Sequence, residues 1–202
     1  MARIVPRTVT LRNGEVCVIR SLEAADAPAS LEHRHRFSTD APLVLTMPDE
    51  VPTDVEEQRR SIVDRLEHPS ELLIGACIGT RQVATAGLKC MAPKRKVRHV
   101  VDLGIGVDPL HRGLGLGREL MVAMLDFAVE HPVIQQVWLN VYPENTPAVR
   151  LYESLGFVTE YTRRRFFIHD DGTYHDDVGM LVYVKPGIAH AGCRTYPACL
   201  AT

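Results

Sequence analysis

A strand-like run, a glycine-rich turn and an amphipathic helix follow one another between His99 and Glu130, and no other stretch limits the fold as tightly. The turn reads Arg112-Gly113-Leu114-Gly115-Leu116-Gly117. The helix predicted from about Gly115 carries Leu116, Leu120, Ala123, Met124, Phe127 and Ala128 at three-and-four spacing, the mark of one buried face. Glycines alternating with other residues let the backbone approach a ligand closely and aim successive N–H groups outward. The helix adds N–H groups without intrahelical partners and the positive end of its dipole. Such a junction receives a phosphate or pyrophosphate, with Arg112 and Arg118 adding charge. A dinucleotide fingerprint would need a glycine at 118, where Arg118 stands, and a P-loop would need Gly-Lys-Ser/Thr at its end. A turn that only permits tight strand–helix packing is the competing reading.

The other elements build a mixed sheet around this junction. Glu15–Arg20 reads as a strand after the turn signal Asn13-Gly14, and Ser21–Phe37 as a helix interrupted near Pro28. Residues 41–52 hold three prolines and read as a loop, and Thr53 with Glu56 forms a capping box for a helix ending before Pro69. Glu71–Ile78 and Gln82–Met91 pair as a hairpin about Gly79-Thr80-Arg81, followed by a third run, His99–Val107. After the long helix come a strand at Gln136–Val141, a helix at Asn145–Leu155, and a hairpin of Phe157–Ile168 with His175–Val184. The order is not that of a regular doubly wound sheet. Residues 1–14 read as an N-terminal extension, 15–185 as one domain, and 186–202, without periodicity, as a flexible tail.

Composition sets outer limits. A net charge of −2 gives no electrostatic reason to expect nucleic acid or an anionic membrane as partner. The five cysteines form no CxxC pair and lack histidines at zinc spacing, so reduced thiols and no metal are expected, with Cys77 and Cys90 as small core residues. No long apolar stretch or signal-like N-terminus is present, and a cytoplasmic location is the expectation.

Three blocks carry a family resemblance. Val107-Asp-Pro-x-x-Arg112-Gly-x-Gly115-x-Gly117-x-x-Leu120 resembles the acetyl-CoA motif of the GNAT superfamily of N-acetyltransferases. Leu139-Asn-Val141-x-x-x-Asn145-x-x-Ala148-x-x-Leu151-Tyr152-Glu-Ser-Leu-Gly156-Phe157 is similar to its later motif. Gly172-x-Tyr174-x-Asp176-x-x-x-Met180 resembles the ending of Rim-type acetyltransferases of ribosomal proteins and small-molecule amines. The resemblance spans roughly residues 15–185. It implies an α/β (α+β) fold with a mostly antiparallel sheet of about seven strands, splayed at the cofactor, and about four flanking helices. It implies acetyl-CoA as donor and an amine as acceptor. The pyrophosphate would lie on Gly113, Leu114, Gly115, Leu116, Gly117 and Arg118, beside Arg112. The pantetheine arm would pair like a strand with Ile105, Gly106 and Val107, and would touch Asn145.

Amide formation then assigns roles. The oxyanion of the tetrahedral intermediate needs a donor, and the N–H of Val107 is the candidate. The departing thiolate needs a proton, for which the resemblance offers Tyr152. The base is less legible. Rim-type enzymes carry a glutamate where Asn140 stands, and asparagine cannot take a proton. Asp102, sharing a face with Gly104 and Gly106 by alternation, is the first candidate, and His99 the second, with a water relay or an already neutral amine as alternatives. Glu144 and His111 read as exposed turn residues. Asp170, Asp171, Asp176 and Asp177 make the last hairpin acidic, either a solvated turn or an attraction for a cationic amine. A CoA-binding regulatory module without turnover is the competing function. Family members often pair through late strands, and the residues do not decide whether this chain is a homodimer.

Overall fold

The computed structural model describes residues 2–39, 43–187 and 195–197. The first two loop residues predicted at 41–52, most of the tail predicted at 186–202, and Cys193 and Cys199 lie outside them. Eight strands are present: β1 (Arg7–Thr10), β2 (Val16–Ser21), β3 (Leu72–Ile78), β4 (Arg81–Cys90), β5 (Val100–Val107), β6 (Gln136–Val141), β7 (Val158–Ile168) and β8 (Tyr174–Tyr183). Four α-helices join them: α1 (Ala27–Thr39), α2 (Val55–Glu67), α3 (Leu116–Glu130) and α4 (Thr146–Ser154). The strands are hydrogen-bonded in the order β1-β2-β3-β4-β5-β6-β8-β7, antiparallel except for β5 with β6. The fold is thus the mixed, mostly antiparallel α/β architecture expected, with eight strands where about seven were predicted. None of the described helices is long and apolar enough to cross a membrane.

The extra strand is β1. Residues 1–14, expected as an extension, include Arg7–Thr10 paired with Val16–Ile19 across the Asn13-Gly14 turn. Gly14 takes φ 89° there, a left-handed value that glycine adopts without cost. Two helix starts differ from expectation for local reasons. Pro28 sits at the second residue of α1, where its missing N–H costs nothing, so it begins the helix and does not interrupt it. Asp54, not Thr53, caps α2: its carboxylate accepts from Glu56 N at 2.8 Å and also complements the helix dipole.

The chain forms two compact units. Unit one comprises residues 1–89 and 104–127, and unit two comprises 90–103 and 128–202. In unit one β3 is buried along most of its length, and α3 buries Leu116, Leu120, Met121, Ala123, Met124 and Leu125 completely. Each large side chain so buried contributes about 1.5–3 kcal/mol, which fixes the start of α3. Phe127, expected in that face, is half-buried, while Met121 and Leu125 widen it. Among the described residues Cys17 is the buried thiol, and Cys77 and Cys90, expected in the core, are half-buried.

Unit two ends in the long hairpin of β7 and β8. Strand β7 is exposed at nearly every residue and stands at the sheet edge. Its register shifts between Arg163 and Phe167, where Arg165 takes φ 51° and its N–H is accepted by Asp176 Oδ1 at 2.7 Å. That is a β-bulge, with extra residues on the outer strand.

Candidate active site

The predicted site residues divide between the units. Unit one holds Ile105, Gly106, Val107, Arg112 and the turn Gly113–Arg118, whereas unit two holds Asp102, Asn145 and Tyr152.

In unit one β5 ends at Val107, and Asp108 N donates to Val83 O at 2.9 Å. A short 3-10 turn over Pro109–His111 leads into the glycines. Gly113 and Gly115 have φ of 72° and 95°, and a Cβ at either would meet nothing within 4 Å. Glycine is therefore required by the left-handed backbone, and the space above it is open. Arg118 N and Glu119 N both reach Gly115 O, at 3.0 and 3.3 Å. Leu116 and Gly117, as the first residues of α3, have N–H groups without intrahelical carbonyls. Backbone N–H groups so placed at a helix N-terminus are chemically able to receive an anion.

Three arginines surround this turn. Arg118 is exposed on the first turn of α3. Arg112 donates from Nε to Val107 O at 3.0 Å and places its guanidinium 5.9 Å from the Phe37 ring centre, so it also ties the two ends of the loop together. Arg12, which sequence reasoning missed, donates from its backbone to Leu114 O at 3.2 Å and from its side chain to Gly113 O at 3.3 Å. It lies 101 residues away along the chain, and no local signal marks it.

The strand leading to the turn is shaped by its glycines. A Cβ on Gly104 would stand in open space, whereas one on Gly106 would lie 3.0 Å from the Phe37 ring. Phe37, from α1, is a second residue the sequence did not single out. The parallel ladder of β5 with β6 joins Val100–Asp102 to Gln136–Trp138, and Ile105, Gly106 and Val107 lie past its end.

Beneath the bend, Asp108 is 2% exposed and gathers charge. Arg36 Nε lies 3.3 Å and Arg81 3.6 Å from its Oδ2, and His33 Nε2 lies 3.3 Å from its Oδ1. Burial pushes the His33 imidazole down to about 4, against the opposing pull of Asp108. Its Nδ1 lies 3.2 Å from the Thr85 hydroxyl, which accepts from Gln82, while its Nε2 and Asp108 Oδ1 face each other without a hydrogen bond. His111, expected to be exposed, is 8% exposed and faces Glu15 at 3.8 Å.

In unit two Asn145 occupies the N-cap of α4 as expected, but its side chain makes no capping hydrogen bond. Its carbonyl receives Ala148 N and Val149 N, both at 3.0 Å, and its amide group is left for another partner. Tyr152 lies in α4, 7% exposed, with its ring 5.9 Å from that of Phe157. Desolvation by burial pushes its phenol up to about 12, so it stays protonated throughout the neutral range. Asp102 is exposed and pairs with Trp138, which places it on the same sheet face as Trp138, Asn140 and Tyr142.

That face carries what sequence reasoning missed most. Asp177, read as one of four acids of the last hairpin, in a solvated turn or attracting a cationic amine, is fully buried. Its Oδ2 accepts from Asn140 Nδ2 at 2.7 Å and from Arg163 Nε at 2.8 Å, with Arg163 Nη2 in close contact as well. Arg163 stacks 3.7 Å from the Phe166 ring centre. Asp176 binds the backbone of Arg165. Glu144 is exposed as expected and faces His175 Nδ1 at 3.2 Å.

Comparison with known proteins agrees with this arrangement. The model of the acetyltransferase (GNAT) family matches residues 39–157. The N-alpha-acetyltransferase RimI of Mycobacterium tuberculosis is 35% identical over 102 residues, half of this chain and 61% of that protein. The ribosomal protein bS18-alanine N-acetyltransferase of Escherichia coli is 40% identical over 68 residues, 34% of this chain and 45% of that one. The chain thus spans about half the length of the curated relatives it matches. Among solved structures, a GNAT-family acetyltransferase from Streptococcus pneumoniae superposes with a TM-score of 0.80 at 22% identity, covering 83% of this chain and 99% of that one. A GNAT-superfamily phosphinothricin acetyltransferase from Sinorhizobium meliloti, in complex with acetyl-CoA, gives 0.74 at 18% identity, covering 94% and 97%. These structures share the fold; the family match over more than half of the sequence goes further, and the chain belongs to the GNAT acetyltransferase family.

Proposed function

We propose that this chain transfers the acetyl group of acetyl-CoA to a primary amine through a tetrahedral intermediate. The observation that carries the reading is the left-handed turn at Gly113 and Gly115, open above its backbone and followed by the unsatisfied N–H groups of α3. The pyrophosphate takes those N–H groups, with Arg12, Arg112 and Arg118 supplying charge. The pantetheine arm lies along the backbone of Ile105, Gly106 and Val107, and Asn145 is assigned to the same arm. Residues 7–185 form the catalytic body, since β1 belongs to the sheet.

The Val107 N–H stabilises the oxyanion as the amine attacks. Tyr152 serves the departing sulfur. A phenol near 12 cannot hand its proton fully to a thiolate whose acid has a pKa of roughly 8.5 without an uphill step. Tyr152 therefore acts as a hydrogen-bond donor to the developing thiolate, and the proton shed by the attacking nitrogen is the one the sulfur finally takes. Asp102, exposed on the open face, is the base assigned to receive that nitrogen's proton in transit.

The acceptor to test first is a peptide beginning with alanine, because relatives at 35% and 40% identity are named for N-alpha and alanine acetylation. The experiment is release of free CoA across a panel of that peptide, a lysine side chain, a polyamine, an amino acid and an amino sugar. Turnover with at least one amine is expected. Asn140, unable to take a proton, favours the second reading, a CoA-binding regulatory module; acetyl-CoA binding without release for any amine would establish it instead.

A further inference from the structure

The ring of Phe37 stands where β5 meets its bend, and the chemistry above gives it no role. It lies on α1 one turn after His33, and the two rings stack with centres 6.1 Å and planes 7° apart. His33 is buried and lies 3.2 Å from the Thr85 hydroxyl. Between the two rings in sequence, Arg36 donates to Gln82 O at 2.7 Å and to Asp108 Oδ2 at 3.3 Å. This end of α1 is thereby docked on β4 and on the exit of β5, all within unit one. Phe37 itself is half-buried, so part of its ring still faces open space.

What the ring covers is a corner of backbone. Asp108 N donates to Val83 O on β4, and successive N–H groups of a strand point to opposite edges. The N–H and the carbonyl of Val107 therefore point away from β4. Arg112 Nε donates to that carbonyl at 3.0 Å, and its guanidinium carbon lies 5.9 Å from the Phe37 ring centre. On the adjoining residue, a Cβ at Gly106 would meet Phe37 ring carbons at 3.0 to 3.2 Å. At Gly104, on the same face of the strand, a Cβ would meet nothing within 4 Å. The face is open at Gly104 and walled at Gly106.

We propose that Phe37 sets the length of acyl group the protein accepts, by closing the space beside the Gly106–Val107 peptide to chains longer than acetyl. The inference rests on the acetyltransferase reading above and deepens it at the donor. An acyl carbonyl accepting from the Val107 N–H brings its chain beside that peptide, and the ring is the wall it meets there. Each methylene buried strengthens binding roughly fourfold, so a site without a wall prefers the longer chain. A close-packed ring removes that gain, because extra methylenes forced against it displace their neighbours. His33 and Arg112 border the ring and limit how far it can swing aside.

The test is calorimetric binding of acetyl-, propionyl- and butyryl-CoA to the full chain, which needs no acceptor. The wild type is expected to bind butyryl-CoA at least about threefold more weakly than acetyl-CoA. In Phe37→Ala the ratio of the butyryl-CoA Kd to the acetyl-CoA Kd should fall about five- to fifteenfold, with propionyl-CoA in between. A merely structural role would weaken all three donors alike and leave that ratio where it was. Phe37→Leu keeps an apolar side chain but shortens the wall, and should lower the ratio about two- to fourfold. A ratio in Phe37→Ala within twofold of wild type overturns the inference, as does a wild type that binds butyryl-CoA as tightly as acetyl-CoA; either leaves the enzyme reading intact. If Phe37→Ala does not fold, Phe37→Leu decides alone, and an unchanged ratio sinks the proposal. The expected ratios without CoA release for any amine overturn the enzyme reading alone, and binding of none of the three donors overturns both.

Discussion

The glycine turn of unit one and the three-strand face of unit two are built on opposite principles. The turn presents backbone: its shape comes from left-handed φ at Gly113 and Gly115, and the groups it exposes are amides that any sequence possesses. The face presents side chains: Asn140, Tyr161, Arg163 and Asp177 come from three strands and act only because the register sets them side by side. The first kind of site is dictated by a few consecutive residues. The second needs the finished sheet.

The sharpest way to strain this contrast is Tyr152→Phe. It removes one hydrogen-bond donor from unit two and should lower kcat about 10–100-fold, as expected for a charged hydrogen bond, with acetyl-CoA affinity unchanged within twofold. Steady-state kinetics with calorimetric binding would show it, and a kcat within twofold of wild type removes Tyr152 from the chemistry. Next comes Gly115→Val, which tests the backbone half. With φ at 95° and open space around the Cβ, its cost is conformational and not a clash, about 1–3 kcal/mol, and acetyl-CoA affinity should drop roughly 5–150-fold. Unchanged affinity would mean the turn does not hold the cofactor in this backbone form.

Asp102→Asn should have a smaller and more particular effect. If Asp102 receives the proton, the acidic limb of the pH–rate profile moves or disappears while the acetyl-CoA Kd stays put. An unchanged limb would leave the proton to water or to an amine that arrives neutral. The smallest effect concerns stability. His33 is neutral in the folded chain down to about 4, whereas an unfolded histidine takes a proton near 6.5. The unfolded state thus binds more protons in that window, so stability is held above 6.5 and lost as the pH falls toward 4. Thermal melts at pH 7 and pH 5 should show a lower Tm at pH 5, and His33→Gln should reduce the difference. A Tm gap that His33→Gln leaves unchanged would assign the loss to other groups.

Several elements were legible because their signals are local. β6 falls at Gln136–Val141 as predicted, α3 starts within one residue of its expected position, and Asn145 occupies the N-cap of α4. β1 escaped because four residues at a sheet edge, alternately half-buried and exposed, carry no apolar run to detect. Asp177 escaped for a deeper reason. Beside Asp176 it reads as one more hairpin charge, and only the pairing of Asp177 with Arg163 buries it. Phe37 and Arg12 reach the site from distant parts of the sequence, Phe37 against Gly106 and Arg12 against Gly113 and Leu114. Contacts of that kind have no signature in spacing.

The bulge at Arg165 has a consequence for how this protein behaves in concentrated solution. An exposed outer strand of 11 residues is a template onto which another chain could stack, rung upon rung. Here the evenly spaced rungs are broken midway: Arg165 turns left-handed and its amide is taken by Asp176, with Arg163, Arg164 and Arg165 set in a row. A newcomer strand would meet a kink with the exposed Arg164 and Arg165 beside it. The same irregularity that looks like a flaw in the hairpin makes its rim a poor template for a further strand.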